Sequence, residues 1–139
     1  MKKSKRIRHA FHNEEVCKLI HATGKFNDWV ITTAFYSAIH FVSFKLFPIR
    51  EETEAGEHYE LNNLDEYHRF HQMAISKHQA LADLVYEYYP QIAADYDWLM
   101  SLCMTARYQH YQQSAEDANR AIGLLAIIRE TLEITNNVS

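Results

Sequence analysis

The chain has 139 residues, of which 47% are hydrophobic and 23% charged, with a formal net charge of −4; this is one domain's length with enough apolar material for a sizeable core, which excludes a disordered or low-complexity chain. Five of its fourteen basic residues (Lys2, Lys3, Lys5, Arg6, Arg8) fall in the first eight positions, so the remainder is acidic. Such a body is a poor match for a phosphate backbone except at a local basic focus or through the N-terminal segment.

Three glycines and two prolines leave few turns, and no segment alternates with period two, so helices are expected throughout. Residues 1–12 read as a basic, solubilising arm, and residues 13–135 as a single bundle. Helix 1 is expected over about 13–23, with Val16, Leu19 and Ile20 inward and Gly24 just past its end. Helix 2 runs from Asn27 or Asp28 to Phe47, where Pro48 stops it; Trp29, Val30, Ile31, Ala34, Phe35, Phe41, Val42, Phe44 and Leu46 occupy almost every face, which makes it the central rod. The polar stretch of about 48–64 reads as a long connection with no apolar period, the place where disorder is expected.

Helix 3 is expected over 65–89, because Phe70, Met73, Ala74, Leu81, Leu84, Val85 and Tyr88 recur at three- and four-residue steps before Pro90. Helix 4 follows over 92–112 with Trp98, Leu99, Leu102, Cys103 and Ala106 inward. Ser114 caps the last helix, whose buried stripe is Ala118, Ile122, Leu125, Ile128 and Leu132, and residues 136–139 form a tail. Helices of twenty residues are about 30 Å long. Elements matched in this way give an all-α fold, an antiparallel four- to five-helix bundle.

The two cysteines, Cys17 and Cys103, lie in apolar helical patterns without a CxxC spacing, so neither a disulfide framework nor a thiolate metal site is expected, and a reducing cytoplasm fits best. No apolar export segment follows the basic start. The longest apolar stretch is broken by Thr32, Thr33, Ser37, His40 and Ser43, so no membrane span is expected. Nine histidines raise the question of a metal. His71 and His78 are two turns apart on the expected helix 3, but no HExxH pattern accompanies them, and neither metal nor cofactor is expected.

Two groups of polar residues interrupt the apolar pattern. On helix 2, Thr33, Ser37 and His40 share a face with Tyr36 one turn from His40; they can satisfy one another within a packed interface or line a cleft against helix 4. At the end of helix 4, "ARYQHY" places Arg107 and His110 three residues apart, with Tyr108 beside the arginine and Tyr111 four residues from it. Cations suit a helix C-terminus for structural reasons. The same pair can also hold a phosphate bidentately and move a proton, a minimal kit for metal-independent RNA cleavage by the ribose 2′-OH.

"DWVITTAFYSAIHFVSFKLF", with Phe35, Tyr36 and His40, and "YDWLMSLCMTARYQHY", with Arg107 and Tyr108, together resemble the two signature helices of the HEPN superfamily, as a divergent bacterial member. The resemblance extends through helix order over residues 12–135. It implies a homodimeric bundle directed at RNA or a nucleotide, as in the metal-independent endoribonucleases of toxin–antitoxin and phage-defence systems. Arg107, His110 and His40 would then be the catalytic residues, and Tyr36, Ser37, Tyr108 and Tyr111 would bind the ligand. In those enzymes the histidine follows the arginine after four to six residues. Here only two residues separate Arg107 from His110, so a non-catalytic dimerisation, nucleotide-sensing or protein-partner module is the alternative.

Overall fold

The computed structural model describes residues 3–136, and residues 1, 2 and 137–139 of the expected arm and tail lie outside that range. Six helices and one small hairpin follow in the order α1 (Lys3–Ala22), α2 (Asn27–Leu46), β1 (Ile49–Glu52), β2 (His58–Leu61), α3 (Leu64–Phe70), α4 (Lys77–Tyr88), α5 (Pro90–Tyr108) and α6 (Ala115–Thr131). The fold is an all-α bundle with the four long helices α1, α2, α5 and α6 around one core. No helix among the described residues is long and apolar enough to cross a membrane.

Helix α2 is the rod on which the others pack. Val30, Ile31, Ala34, Phe35, Ala38 and Phe41 are fully buried. Three of its hydroxyls bond within the protein: Thr32 and Thr33 donate to the carbonyls of Asp28 and Trp29 one turn back, and Ser37 donates to Ala10 O at 2.7 Å. Cys17 Sγ donates to Val30 O at 3.3 Å, and Arg6 Nη1 donates to Ser43 O at 3.4 Å. Three contacts at this register run α1 antiparallel to α2. Against α6, α1 is held by His21 to Asn119 at 2.6 Å and by the half-buried Arg129, whose Nε lies 3.3 Å from Glu14 Oε2. Lys18 approaches the same carboxylate at 3.5 Å, so the buried Glu14 is flanked by two cations.

Several boundaries differ from the sequence expectation. Residues 3–12 form the first half of α1 instead of an arm, because Arg6, Ala10, Glu14 and Cys17 recur every three or four residues and are the buried face. Leu19 is exposed, and Val16 and Ile20 are only half-buried.

The connection after α2 is an ordered hairpin. Ile49 pairs with Leu61 in an antiparallel register, and these two residues tuck under the bundle while the rest of both strands faces water. Gly56, at φ 83, supplies the left-handed residue of its turn.

The single helix expected over 65–89 is two. It breaks at His71–Ser76, where Gln72 has a positive φ and the Ser76 hydroxyl accepts from Gln79 N–H to start α4 afresh. Helix α5 stops at Tyr108, four residues short of its expected end. Trp98, expected inward, is half exposed beneath the Arg120 guanidinium at 4.8 Å. Helix α6 starts after Ser114 as expected, with that hydroxyl accepting from Asp117 N–H.

The contact between α1 and α2 leaves no room at Ala10. Replacing Ala10 with Leu should lower stability in urea unfolding by about 1–3 kcal/mol, through overpacking against α2. A change within a few tenths of a kcal/mol would show that the two helices can part there.

Candidate functional site

One end of the bundle gathers the C-terminus of α5 and the N-terminus of α2. The Asn27 amide donates to Gln113 O at 3.0 Å, which ties the loop after α5 to the first turn of α2. Trp29, Thr33, Tyr36 and His40 lie on one face of α2 at three- and four-residue steps, so Trp29 sits two turns below Tyr36, on the side of this end.

Arg107 reaches back along α2. It donates to the Tyr36 hydroxyl, and its guanidinium carbon lies 5.5 Å from the Tyr36 ring centroid and 5.2 Å from that of Tyr108. No carboxylate among the described residues forms an ion pair with it, although Asp28, Glu116 and Asp117 stand in the first turns of α2 and α6 at the same end. The result is an exposed cation on two aromatic rings.

Around it the surface is rich in rings. Tyr108 and Tyr111 are about 70% exposed (69% and 72%), and Phe26 and Trp29 are 64% and 54% exposed. Phe26 holds a left-handed backbone (φ 59), rare for a bulky residue, which aims its ring out of the turn while its carbonyl accepts from Trp29 and Val30 N–H. Trp29 is a residue that sequence reasoning assigned to the core. Beside the cluster, Trp98, Ser101, Leu102, Thr105, Gln113 and Asp117 line a shallow groove of ≈ 170 Å³ between α5 and α6.

His110 does not continue the helical face of Arg107. The helix closes at Gln109, and His110 N–H wraps back to Thr105 O at 2.8 Å. Its Nδ1 accepts from Gln112 N–H at 3.0 Å, which leaves Nε2 free to face solvent. Tyr111, four residues from Arg107 in sequence, lies 6.5 Å from the His110 ring, and the rings beside the arginine are those of Tyr36 and Tyr108.

The other two sequence candidates are elsewhere. Ser37 is fully buried and spends its hydroxyl on Ala10 O. His40 stacks on His9 of α1, with ring centroids 4.0 Å apart and planes at 28°, and no hydrogen bond, ion pair or ring contact joins it to Arg107 or His110. Burial first, then the neighbouring His9 and Arg6, pushes its pKa down to about 4.

Both cysteines are fully buried. Burial raises the Cys17 pKa and lifts that of Cys103 to about 11, which leaves neither a ready nucleophile. Among the described residues, no three of His, Cys, Asp or Glu gather into a metal-binding group.

No family model matches this chain, and neither a curated protein nor a solved structure matches it.

The depressed pKa of His40 has a consequence for stability. The unfolded chain binds a proton near pH 6.5 that the folded chain refuses until about pH 4. The native state is therefore at full strength above pH 6.5 and loses stability as pH falls towards 4. With the half-buried ring discounted for solvent screening, the loss is roughly 1–2 kcal/mol. His40→Gln should flatten the stability–pH curve in that window, and an unchanged slope would remove His40 as its source.

Proposed function

We propose that the Arg107 end of the bundle binds single-stranded RNA, and that it cleaves the strand without a metal when two copies present their ends together. The observation that carries this reading is the exposed arginine, free of a carboxylate partner and seated on the Tyr36 and Tyr108 rings, with Phe26, Trp29 and Tyr111 exposed at the same end. Unpaired bases stack on such rings, and a guanidinium holds a phosphate oxygen pair beside them.

In the cleavage step, Arg107 offsets charge on the phosphate as the neighbouring 2′-oxygen attacks phosphorus, the bond to the 5′-oxygen breaks, and a 2′,3′-cyclic phosphate forms. His110 Nε2 takes the hydroxyl proton or returns one to the leaving oxygen. A single histidine serves one of these roles per copy. A two-fold dimer would supply the second. This is the chemistry that the HEPN resemblance implies, carried to Arg107 and His110.

A second reading is a non-catalytic HEPN-like module that binds RNA or a protein partner through the same rings. It is favoured by the position of His110 beyond the end of α5 and by the openness of the surface around it.

The test is binding and cleavage of labelled single-stranded and transfer RNA in excess EDTA. Arg107→Ala should weaken binding by about tenfold, consistent with 1–3 kcal/mol for a lost stacking or charge contact. His110→Ala should bind as the parent does yet yield no cyclic-phosphate ends. Binding without cleavage by the parent would select the module. No binding by the folded parent would reject both RNA readings.

A further inference from the structure

At the opposite end of α2, Arg6 is 6% exposed. A guanidinium this enclosed ordinarily carries a carboxylate partner. Arg6 has none among the described residues. It makes one long hydrogen bond, to Ser43 O at 3.4 Å, and its guanidinium carbon lies 5.9 Å from the Phe47 ring centroid. Most of its five N–H donors are unspent.

Two hollows meet at this side chain. One, of ≈ 380 Å³, is lined by Lys3, Phe47, Pro48, Asn62 and Glu66; the other, of ≈ 240 Å³, by Ile39, His40, Ser43, Leu64 and Asp65. Arg6 and Asn63 line both, which makes one cleft with the arginine at its waist. Each of the two carboxylates on the walls is held by another group, Glu66 by a residue of its own hollow. Asp65 pairs with Lys77 at 2.7 Å, and Glu66 accepts from Asn62 N–H at 2.7 Å.

We propose that this cleft binds a small phosphate monoester, its phosphate held by Arg6 with Lys3 and its organic part lying in the hollow beside Ile39 and His40. The planar fork of arginine matches two phosphate oxygens, and the ammonium of Lys3, three residues earlier on the same face of α1, supplies the second positive charge that a dianion needs. A monocarboxylate would leave one cation unmatched. The hollows are of small-molecule size and offer only two cations, so a nucleic-acid strand is disfavoured here. Ser43, level with Arg6, and Tyr36, on which Arg107 is seated, are about 10 Å apart along the helix, and the cleft shares no residue with the ring cluster, so the two readings are tested separately.

The test uses the full chain with phenyl phosphate and inorganic phosphate as probes, by calorimetric titration and by thermal unfolding. Phenyl phosphate should bind, should do so more tightly than inorganic phosphate, and should raise the melting temperature. Arg6→Met, which keeps the bulk and removes the unpaired charge, should retain the fold and weaken binding by at least about tenfold. Lys3→Ala, an exposed change that leaves the core untouched, should weaken it by a smaller factor and keeps the test valid if Arg6→Met does not fold. Equal affinity for the two probes, no binding of either, or undiminished binding by Lys3→Ala and Arg6→Met would overturn the proposal.

Discussion

A twenty-residue helix that is buried on nearly every face can exist only if its polar groups find partners inside the protein, and α2 meets that condition through α1. The Ser37 hydroxyl reaches the Ala10 carbonyl because alanine lets the two backbones approach. Cys17 and Arg6 close the remaining carbonyl contacts at either end of the same interface. This pairing is hydrogen-bonded as well as apolar, so it fixes the axial register of the two helices, which packing alone would leave free to slide. The buried Glu14, between Arg129 and Lys18, then extends the register to α6.

That register decides which charged groups meet. At the level of Ser43 it brings Arg6 into the interior beside the exit of α2, and at the level of His40 it lays His9 flat on the imidazole. Both consequences concern the C-terminal half of α2. The hairpin and α3 complete that end: Ile49 and Leu61 anchor the strands under the bundle, and His71 bonds Glu51 at 3.1 Å. At the N-terminal end of α2 the Asn27 side-chain amide donates to Gln113 O, and the rings of Phe26 and Trp29 remain outside.

The central rod and the capped helices were readable from sequence because their signals are local. Asn27 and Pro48 bracket α2, and Ser114 with Asp117 marks the start of α6. The first half of α1 was not readable, since two of the four buried positions of the whole helix are charged and an apolar period cannot reveal Arg6 or Glu14. The break before α4 did carry a signal, the Ser76-x-x-Gln79 cap, which the apolar steps continuing across it obscured. In the candidate site, Arg107 with Tyr36 and Tyr108 follows from the two polar groups singled out in the sequence. Phe26 and Trp29 do not, because a large apolar side chain on a sequence reads as core until the end of the bundle is seen to leave it outside. The separation of His40 from Arg107 depends on the pairing of α1 with α2, which no single helix announces.

The net charge of the chain sets a limit on how the ring cluster can work. With the body acidic, long-range attraction for a phosphate backbone is weak, and Asp28, Glu116 and Asp117 sit close to the cluster. Affinity for a nucleic-acid strand would therefore have to come from short-range stacking on Tyr108, Tyr111, Trp29 and Phe26, with Arg107 contributing locally. Stacking depends on bases that are already unpaired, whereas a duplex offers chiefly its phosphates. If the cluster binds RNA as proposed, the same balance that disfavours duplex binding would select single-stranded loops and ends and make the binding less sensitive to salt than that of a basic protein. An acidic body and an aromatic end carrying one arginine without a carboxylate partner are thus compatible features of one surface: under the proposed function, charge would set what is turned away and the rings what is held.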